Sequence, residues 1–442
     1  MSISEQQMPE GELSRTMKIC FTGPKNLHTE RWVTYFARQG HEVHLVIDEP
    51  VDYEGVIVHS LGLRQQKSLS YFVKKWFGLK KVLHAIKPDI LHTHYLTGEG
   101  YVSSLIGFHP YVVTIWGNDI YLRPHVGRDE RWFTQFVLKR ADLITADSQD
   151  QIDAAVQLGA DPGKGRVVQW GVDLKTFRPD VVSDIRERLG FGDAPVVISQ
   201  RKFDPLYNID VVIAAFKDVL DVLPNARLIL TGSGQYEPDI RDLVRRSGLN
   251  ASVHFTGYLP YNDLPLYLAA ADISVSVPSS DGTAMTLLEA MACGVPLIVS
   301  DLPSNREWIE DGVNGFIVPV RDRAALAQRM LETLLSKELR DRFRLSNLKQ
   351  VRERADHEAH MRYMETLYQN LIQGRPLPEG RVSCQRDGLY ERTFQPSQAA
   401  FNNLGGESIA VGAGYTDALE ECRGMGDPFL GRPRQRGKRQ EF

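Results

Sequence analysis

The sequence predicts an α/β protein of two doubly wound domains, each a parallel sheet with helices on both faces. Three observations carry this. Short apolar runs ending in glycine or polar residues alternate with amphipathic segments. The rhythm breaks at residues 171–180 (GVDLKTFRPD), where Gly, Pro and charge cluster, and then restarts. A chain of 442 residues also exceeds what one ordinary core fills, which suggests two or three domains.

Residues 1–16 are polar and acidic. They lack the basic start and apolar run of a secretory signal, so a flexible N-terminus is expected. MKICFTG is a short buried strand. TERWVTYFARQG then sets Trp32, Tyr35 and Phe36 at helical spacing and stops at Gly40. HEVHLVID, PDILHTHY, YVVTIW, DLITAD and GRVVQW supply further strands, completing a first domain over 17–172. The linker falls at 173–182. A second α/β domain, 183–355, holds the strands APVVISQ, ARLILTGSG, SVHFTGY, ADISVSVPSS and VPLIVSD, with IDVVIAAFKDVL as a helix. HEAHMRYMETLYQNLIQ is a last amphipathic helix, expected over 356–373 and crossing back to the first domain. From 374 to 442 Gly, Pro, Arg and Gln dominate without apolar periodicity, so a flexible, solvated tail is expected.

Hydrophobic content of 42% and charged content of 24% place the chain among soluble globular proteins. A net charge of -4 provides no overall basic field for nucleic acid. Cys20, Cys293, Cys384 and Cys422 are far apart and form no metal-type pair, which suits a reduced, cytoplasmic chain. No apolar run approaches the ~20 residues of a membrane span, so membrane contact is at most peripheral, at the inner face.

The most informative segment is 278–319. A strand, ISVSV, enters a loop holding Asp281, Gly282 and Thr283. The helix LLEAMAC follows, with Gly294 and Pro296 at its end. That order aims the free N–H groups of a helix start at a ligand, which suits phosphate. Glu289 has two readings: Thr286 to Glu289 as a capping box, or Glu289 accepting from ribose hydroxyls, the favoured one. Arg201 and Lys202 stand at the end of a strand, where α/β sheets bind ligands, although two surface charges would look the same. TGSG ends another strand with Gly232 and Gly234. HFTGY reads equally well as an ordinary buried strand and turn. His92 and His94 share one strand face, with no third metal ligand in view, and His94 is nearer the strand's C-terminal end. In SLSYFVKKWFGLKKVLHAIKPD, Leu69, Phe72, Val73, Trp76, Leu79, Leu83 and Ile86 form a helical stripe. A packed surface helix is the favoured explanation, and a helix lying on anionic lipid the other.

Segment 278–319 resembles the signature of retaining glycosyltransferase family 4, whose fold is GT-B: two facing Rossmann-like domains around a deep cleft. In that family an acid, seven residues and a Glu precede A-M-A-x-G. Here Asp281, Glu289 and AMACG stand there, and Glu307, Gly312, Asn314 and Gly315 match further on. The linker GVDLKTFRP is also similar, and the likeness spans residues 17–373. The resemblance implies transfer of a sugar, with retention, from a nucleoside diphosphate to a hydroxyl of a glycan, lipid-linked or small-molecule acceptor. The first domain would take the acceptor and the second the donor. No cofactor or metal is implied, and the chain has no Asp-x-Asp motif. Asp281 would meet sugar hydroxyls and Glu289 the ribose. Gly282, Thr283, Ala284, Thr286 and Leu288 would line the donor, with the loop amides at its diphosphate. Arg201 holds the family's Arg position. Tyr207 stands where the family has Lys, with Lys202 able to supply the charge. Gly232 and Gly234 would turn beneath the nucleotide.

His94 and Asp119 complete the expected catalytic set with Asp281. Asp119 lies in a segment similar to V-T-x-H-G-x-D, where Trp116 replaces the His. Trp accepts no proton. The family's reaction needs no strong enzyme base, since the departing phosphate takes the acceptor proton. The family's Gly-Gly acceptor loop is absent, replaced by GPKNLHTERW, so a different acceptor contact is expected. The departures at Trp116 and Tyr207 keep a rival open, a non-catalytic nucleotide-sugar-binding protein. A dinucleotide oxidoreductase would need a GxGxxG turn where GPKNLH stands.

Overall fold

A computed structural model describes residues 16–64 and 68–378; the expectations for 1–15 and 379–442, Cys384 and Cys422 lie outside the described residues. The first sheet contains β1 (Lys18–Thr22), β2 (Glu42–Ile47), β3 (Val56–Ser60), β4 (Ile90–His94), β5 (Tyr111–Thr114), β6 (Leu143–Ala146) and β7 (Gly165–Val167). All pairings are parallel, in the order β3-β2-β1-β4-β5-β6-β7. The second sheet contains β8 (Val196–Ser199), β9 (Arg227–Thr231), β10 (Val253–Gly257), β11 (Ile273–Ser276), β12 (Leu297–Ser300) and β13 (Gly315–Val318). It too is parallel, in the order β10-β9-β8-β11-β12-β13.

The strand sequences explain the sheets. KICFT, VVIS, LILT, ISVS and LIVS are buried along almost their whole length, as strands covered on both faces must be. Asn26, Ser68 and Ser148 start the helices Leu27–Arg38, Leu69–Ile86 and Gln149–Gln157, each side chain accepting from a backbone N–H three residues on. The strand orders reverse direction between β1 and β4 and between β8 and β11. Adjacent crossovers there leave on opposite faces and open a crevice beyond the strand ends. Gly23 and His94 stand beyond β1 and at the end of β4; Arg201 and Asp281 follow β8 and β11.

The two crossings between domains run side by side. Val172 N–H donates to Ala355 O (2.7 Å) and His357 N–H to Val172 O (3.2 Å). The helix His357–Ile372, capped by Asp356, then lies on the first domain. Its Met361, Met364, Leu367 and Tyr368 share a core with Phe21, Trp32, Phe36 and Trp170. Met364→Ala is expected to lower stability by about 2–5 kcal/mol through the cavity it leaves, read as a lower urea midpoint.

Candidate active site at the facing switch points

Arg201 is buried beyond β8. Its guanidinium pairs with the Asp281 carboxylate, donates to Thr286 Oγ1 (3.3 Å) and lies 4.2 Å from the Tyr207 ring centroid. Tyr207 therefore does not replace the family's lysine charge; its ring face supports the guanidinium. Lys202 beside it is exposed. The turn TGSG has a packing reason. Gly232 has φ +137°, and a Cβ there would lie 2.5 Å from the Arg201 carbonyl oxygen. Gly234 likewise lies against the Phe203 carbonyl. Both glycines let the β9 turn press on the segment that carries Arg201.

The helix Met285–Ala292 begins at Ala284 with no side-chain cap. The capping box is not formed: Thr286 lies inside the helix, and its hydroxyl accepts from Arg201. Glu289 is buried on this helix. Burial pushes its carboxyl up to about 7, opposed by the positive charges of Arg31 and Arg201. Leu288 leaves the expected donor-binding set. Its side chain is fully buried in the second domain's core, and its N–H is bonded to Ala284 O (3.4 Å).

Arg31 and Asp147 did not stand out in the sequence. Arg31, from the first domain, donates to Gly171 O (3.2 Å) and to Met285 Sδ (3.3 Å) and lies 5.5 Å from the Tyr261 ring centroid. Asp147, just beyond β6, accepts the Thr283 N–H on Oδ1 (2.9 Å) and Trp170 Nε1–H on Oδ2 (3.0 Å). Its carbonyl accepts from the Thr283 hydroxyl (3.0 Å). Complete burial holds the Asp147 carboxyl well above the usual carboxylate range. A Cβ on Gly282 would lie 2.7 Å from Asp147 Oδ1, so only glycine admits this approach. The Thr283 amide, expected at a phosphate, is thus taken by the first domain in this arrangement. Asp150 N–H donates to Glu307 Oε1 (3.1 Å) nearby. A lone Asp after an apolar run carries no signal of such a contact, which connects residues 136 positions apart.

The first domain contributes an aromatic wall. His94 Nδ1 meets Thr29 Oγ1 at 3.3 Å, and its ring lies 5.1 Å from Trp32 and 5.8 Å from Trp116, centroid to centroid. His28 sits between Trp116 (5.5 Å) and Trp170 (4.7 Å). Burial holds His94 down to about 3 and His28 to about 4, so both rings are neutral at ordinary pH. His92 is a satisfied core residue, bonded to Tyr368 and to Thr114 Oγ1 (2.6 Å). Asp119 is fully buried and accepts the N–H groups of Leu96 (2.9 Å), Trp116 (3.0 Å) and Gly117 (2.8 Å). Buried and unpartnered are His94 Nε2, His28 Nδ1, Trp116 Nε1 and Gln151 Nε2, all on residues at or just beyond the C-terminal ends of the first domain's strands. Folded proteins rarely leave such groups unpaired, which makes these four atoms candidates for contact with a ligand.

Two parallel α/β domains, each with a switch point, have the architecture of the GT-B glycosyltransferases. The chain belongs to the glycosyltransferases that match the models Glycosyl transferases group 1, here over residues 181–350, and Glycosyl transferase 4-like, here over residues 18–148. It is 27% identical to EpsD of Bacillus subtilis over 383 residues, 78% of this chain and 97% of that protein. It is 24% identical to N-acetyl-alpha-D-glucosaminyl L-malate synthase of Bacillus anthracis over 356 residues, 76% of this chain and 91% of that protein. The crystal structure of Anabaena HepE in complex with UDP-glucose has the same fold, with a TM-score of 0.70 at 20% identity over 80% of this chain and 100% of that one.

Proposed function

We propose that the protein transfers a sugar from a nucleoside diphosphate to an acceptor hydroxyl, with retained anomeric configuration and without a metal. The observation that carries this is the grouping of Arg201, Asp281, Thr286 and Glu289 at one uncapped helix start. Arg201, Lys202 and the helix N–H groups meet the diphosphate charge as the leaving group departs. The buried Glu289 accepts from the ribose hydroxyls. Asp281 orients the sugar beside Arg201, and the aromatic wall of His94 and Trp116 covers its other side.

Neither residue of the wall serves as a general base: burial holds His94 down to about 3, and Trp116 accepts no proton. In the family that segment 278–319 resembles, the departing phosphate takes the acceptor proton on the same face, and we carry that route to retention over to this chain. Asp119 acts as a positioning residue that ties the Trp116–Gly117 turn to the β4 end. Asp119→Asn is expected to lower kcat about tenfold with little change in donor Kd, because it loosens the sugar-facing turn and not the nucleotide site. Equal loss in donor affinity would give Asp119 a different role.

The acceptor is a hydroxyl of a glycan, a lipid-linked molecule or a small molecule. The test of donor binding is a thermal-shift series with UDP, GDP, ADP and their sugars, since a ligand that binds only the folded state raises the melting temperature. HepE was solved with UDP-glucose, so UDP and UDP-glucose come first. No shift with any of them at millimolar concentration sinks the proposal.

A further inference from the structure

The helix Leu69–Ile86 has two apolar faces, and only one of them is used by the fold. Leu79 and Leu83 are buried in the first domain's core, with Phe72, Trp76 and Ile86 packed at its edge. Leu69 and Val73 leave that face. They stand 81% and 43% exposed, in line with Phe77 at 62%. Residues four apart drift only roughly 40° around a helix, so the three make one outward line.

The charge on this helix is of one sign. Between Ser68 and Ile86 there is no Asp or Glu, while Lys74, Lys80 and Lys81 are exposed. The fourth lysine, Lys75, points inward to Asp48 (2.9 Å) and Glu99 (2.5 Å). Lys80 lies 4.7 Å from the Trp76 ring centroid, its stem along the apolar line. The whole chain carries a net charge of -4, so this is a local inversion.

We infer that the outer face of Leu69–Ile86 docks on an anionic lipid surface. Leu69, Val73 and Phe77 enter the boundary between headgroups and acyl chains, and Lys74, Lys80 and Lys81 meet the lipid phosphates. Long lysine stems allow both at once, since the ammonium reaches outward while the stem stays on apolar surface. Three apolar side chains in line beside three lysines, with no acidic residue on the helix, is the pattern of a helix lying on an anionic interface. The docked helix is anchored to the rim of the sheet: Tyr71 and Lys75 bond Asp48, just beyond β2, and Lys75 bonds Glu99, whose carboxylate accepts from Thr22 of β1. Docking therefore brings the C-terminal ends of β1 and β2 towards the bilayer. The docking does not depend on the transferase reading; only the consequence, access to an acceptor hydroxyl at the lipid surface, does.

The full chain is tested by co-sedimentation with vesicles of phosphatidylcholine alone and of phosphatidylcholine mixed with phosphatidylglycerol. Two variants on exposed positions are compared, Leu69→Ser/Phe77→Ser and Lys74→Glu/Lys80→Glu/Lys81→Glu, and melting curves with and without UDP check the fold and the donor site. Binding to the mixed vesicles, weakened by salt, is expected to fall about 100-fold in the lysine variant and about tenfold in the apolar one, with the UDP-induced shift unchanged. Absence of wild-type binding to the mixed vesicles overturns the inference, as does binding that neither variant weakens. A dimer that Leu69→Ser/Phe77→Ser converts to monomer, without vesicle binding, assigns the face to a second copy instead. Loss of the UDP-induced shift in wild type with docking intact would count against the donor site alone.

Discussion

Arg201→Ala is expected to lower kcat/KM about 10²–10³-fold, the loss typical when one preorganised donor to a developing anionic charge is removed. Arg201 has three engagements within the site: the Asp281 carboxylate, the Thr286 hydroxyl and the Tyr207 ring face. Its removal leaves the Asp281 carboxylate without its cation. The variant is also expected to lose about 3–5 kcal/mol of stability, because a buried pair has been broken on one side. Kinetics must therefore be measured well below its melting temperature. Arg201→Lys separates the two effects. It keeps a charge near Asp281, recovers most of the stability, and remains about tenfold slow because lysine lacks the two-pronged guanidinium. An alanine variant with wild-type donor affinity and turnover would remove Arg201 from the site.

Glu289→Gln is expected to stabilise the ligand-free protein and weaken donor binding. Folding pushes the Glu289 carboxyl from 4.5 to about 7, chiefly by burial. Below pH about 4.5 the group is protonated in folded and unfolded chains alike. Between 4.5 and 7 the folded chain keeps a proton that the unfolded chain has lost, so stability falls as pH rises through this window. At about 1.36 kcal/mol per decade of proton affinity, the full cost by pH 8 is about 3 kcal/mol. Glutamine carries no charge and escapes it. At pH 8 the Gln variant should melt higher than wild type, and at pH 4 the two should coincide. Donor affinity moves the opposite way. A ribose hydroxyl donates best to the ionised carboxylate, so wild-type affinity should rise with pH to about 7 and level off, while the Gln variant stays weak and flat. A Gln variant less stable at pH 8 that still binds UDP as wild type does would return Glu289 to a structural role. The pattern expected here, a buried carboxylate that costs stability and serves a ligand, is the usual trade at a functional site.

The strand-loop-helix grouping that carries Asp281 and Glu289 was legible because it depends on short spacings. Asp281, Gly282 and Glu289 lie within nine residues, and a strand-loop-helix order alone places a helix start at the strand end. Arg201 was visible for the same reason, as a charge directly after an apolar run. Spacing also misled. Leu288 sits within the signature yet faces the core, since neighbouring helix residues point about 100° apart. Thr286 and Glu289 have the spacing of a capping box, but the helix starts at Ala284, two residues earlier.

By itself, the sequence determined two parallel α/β domains and the last helix, which follow from local periodicity, and its segment 278–319 carried the resemblance to a glycosyltransferase family. Only the tertiary structure decided which distant side chains complete the site. Arg31 meets Met285 across 254 positions, and Asp147 takes the Thr283 amide across 136. It also split the stripe of Leu69–Ile86, burying Leu79 and Leu83, leaving Leu69 and Val73 outside, and setting Phe77, which was not in the stripe, in line with them. The physical reason is common to these cases. A repeat of 3.6 residues says that a helix has an apolar face, but which side chains lie under cover depends on the neighbours it meets and where their surfaces end.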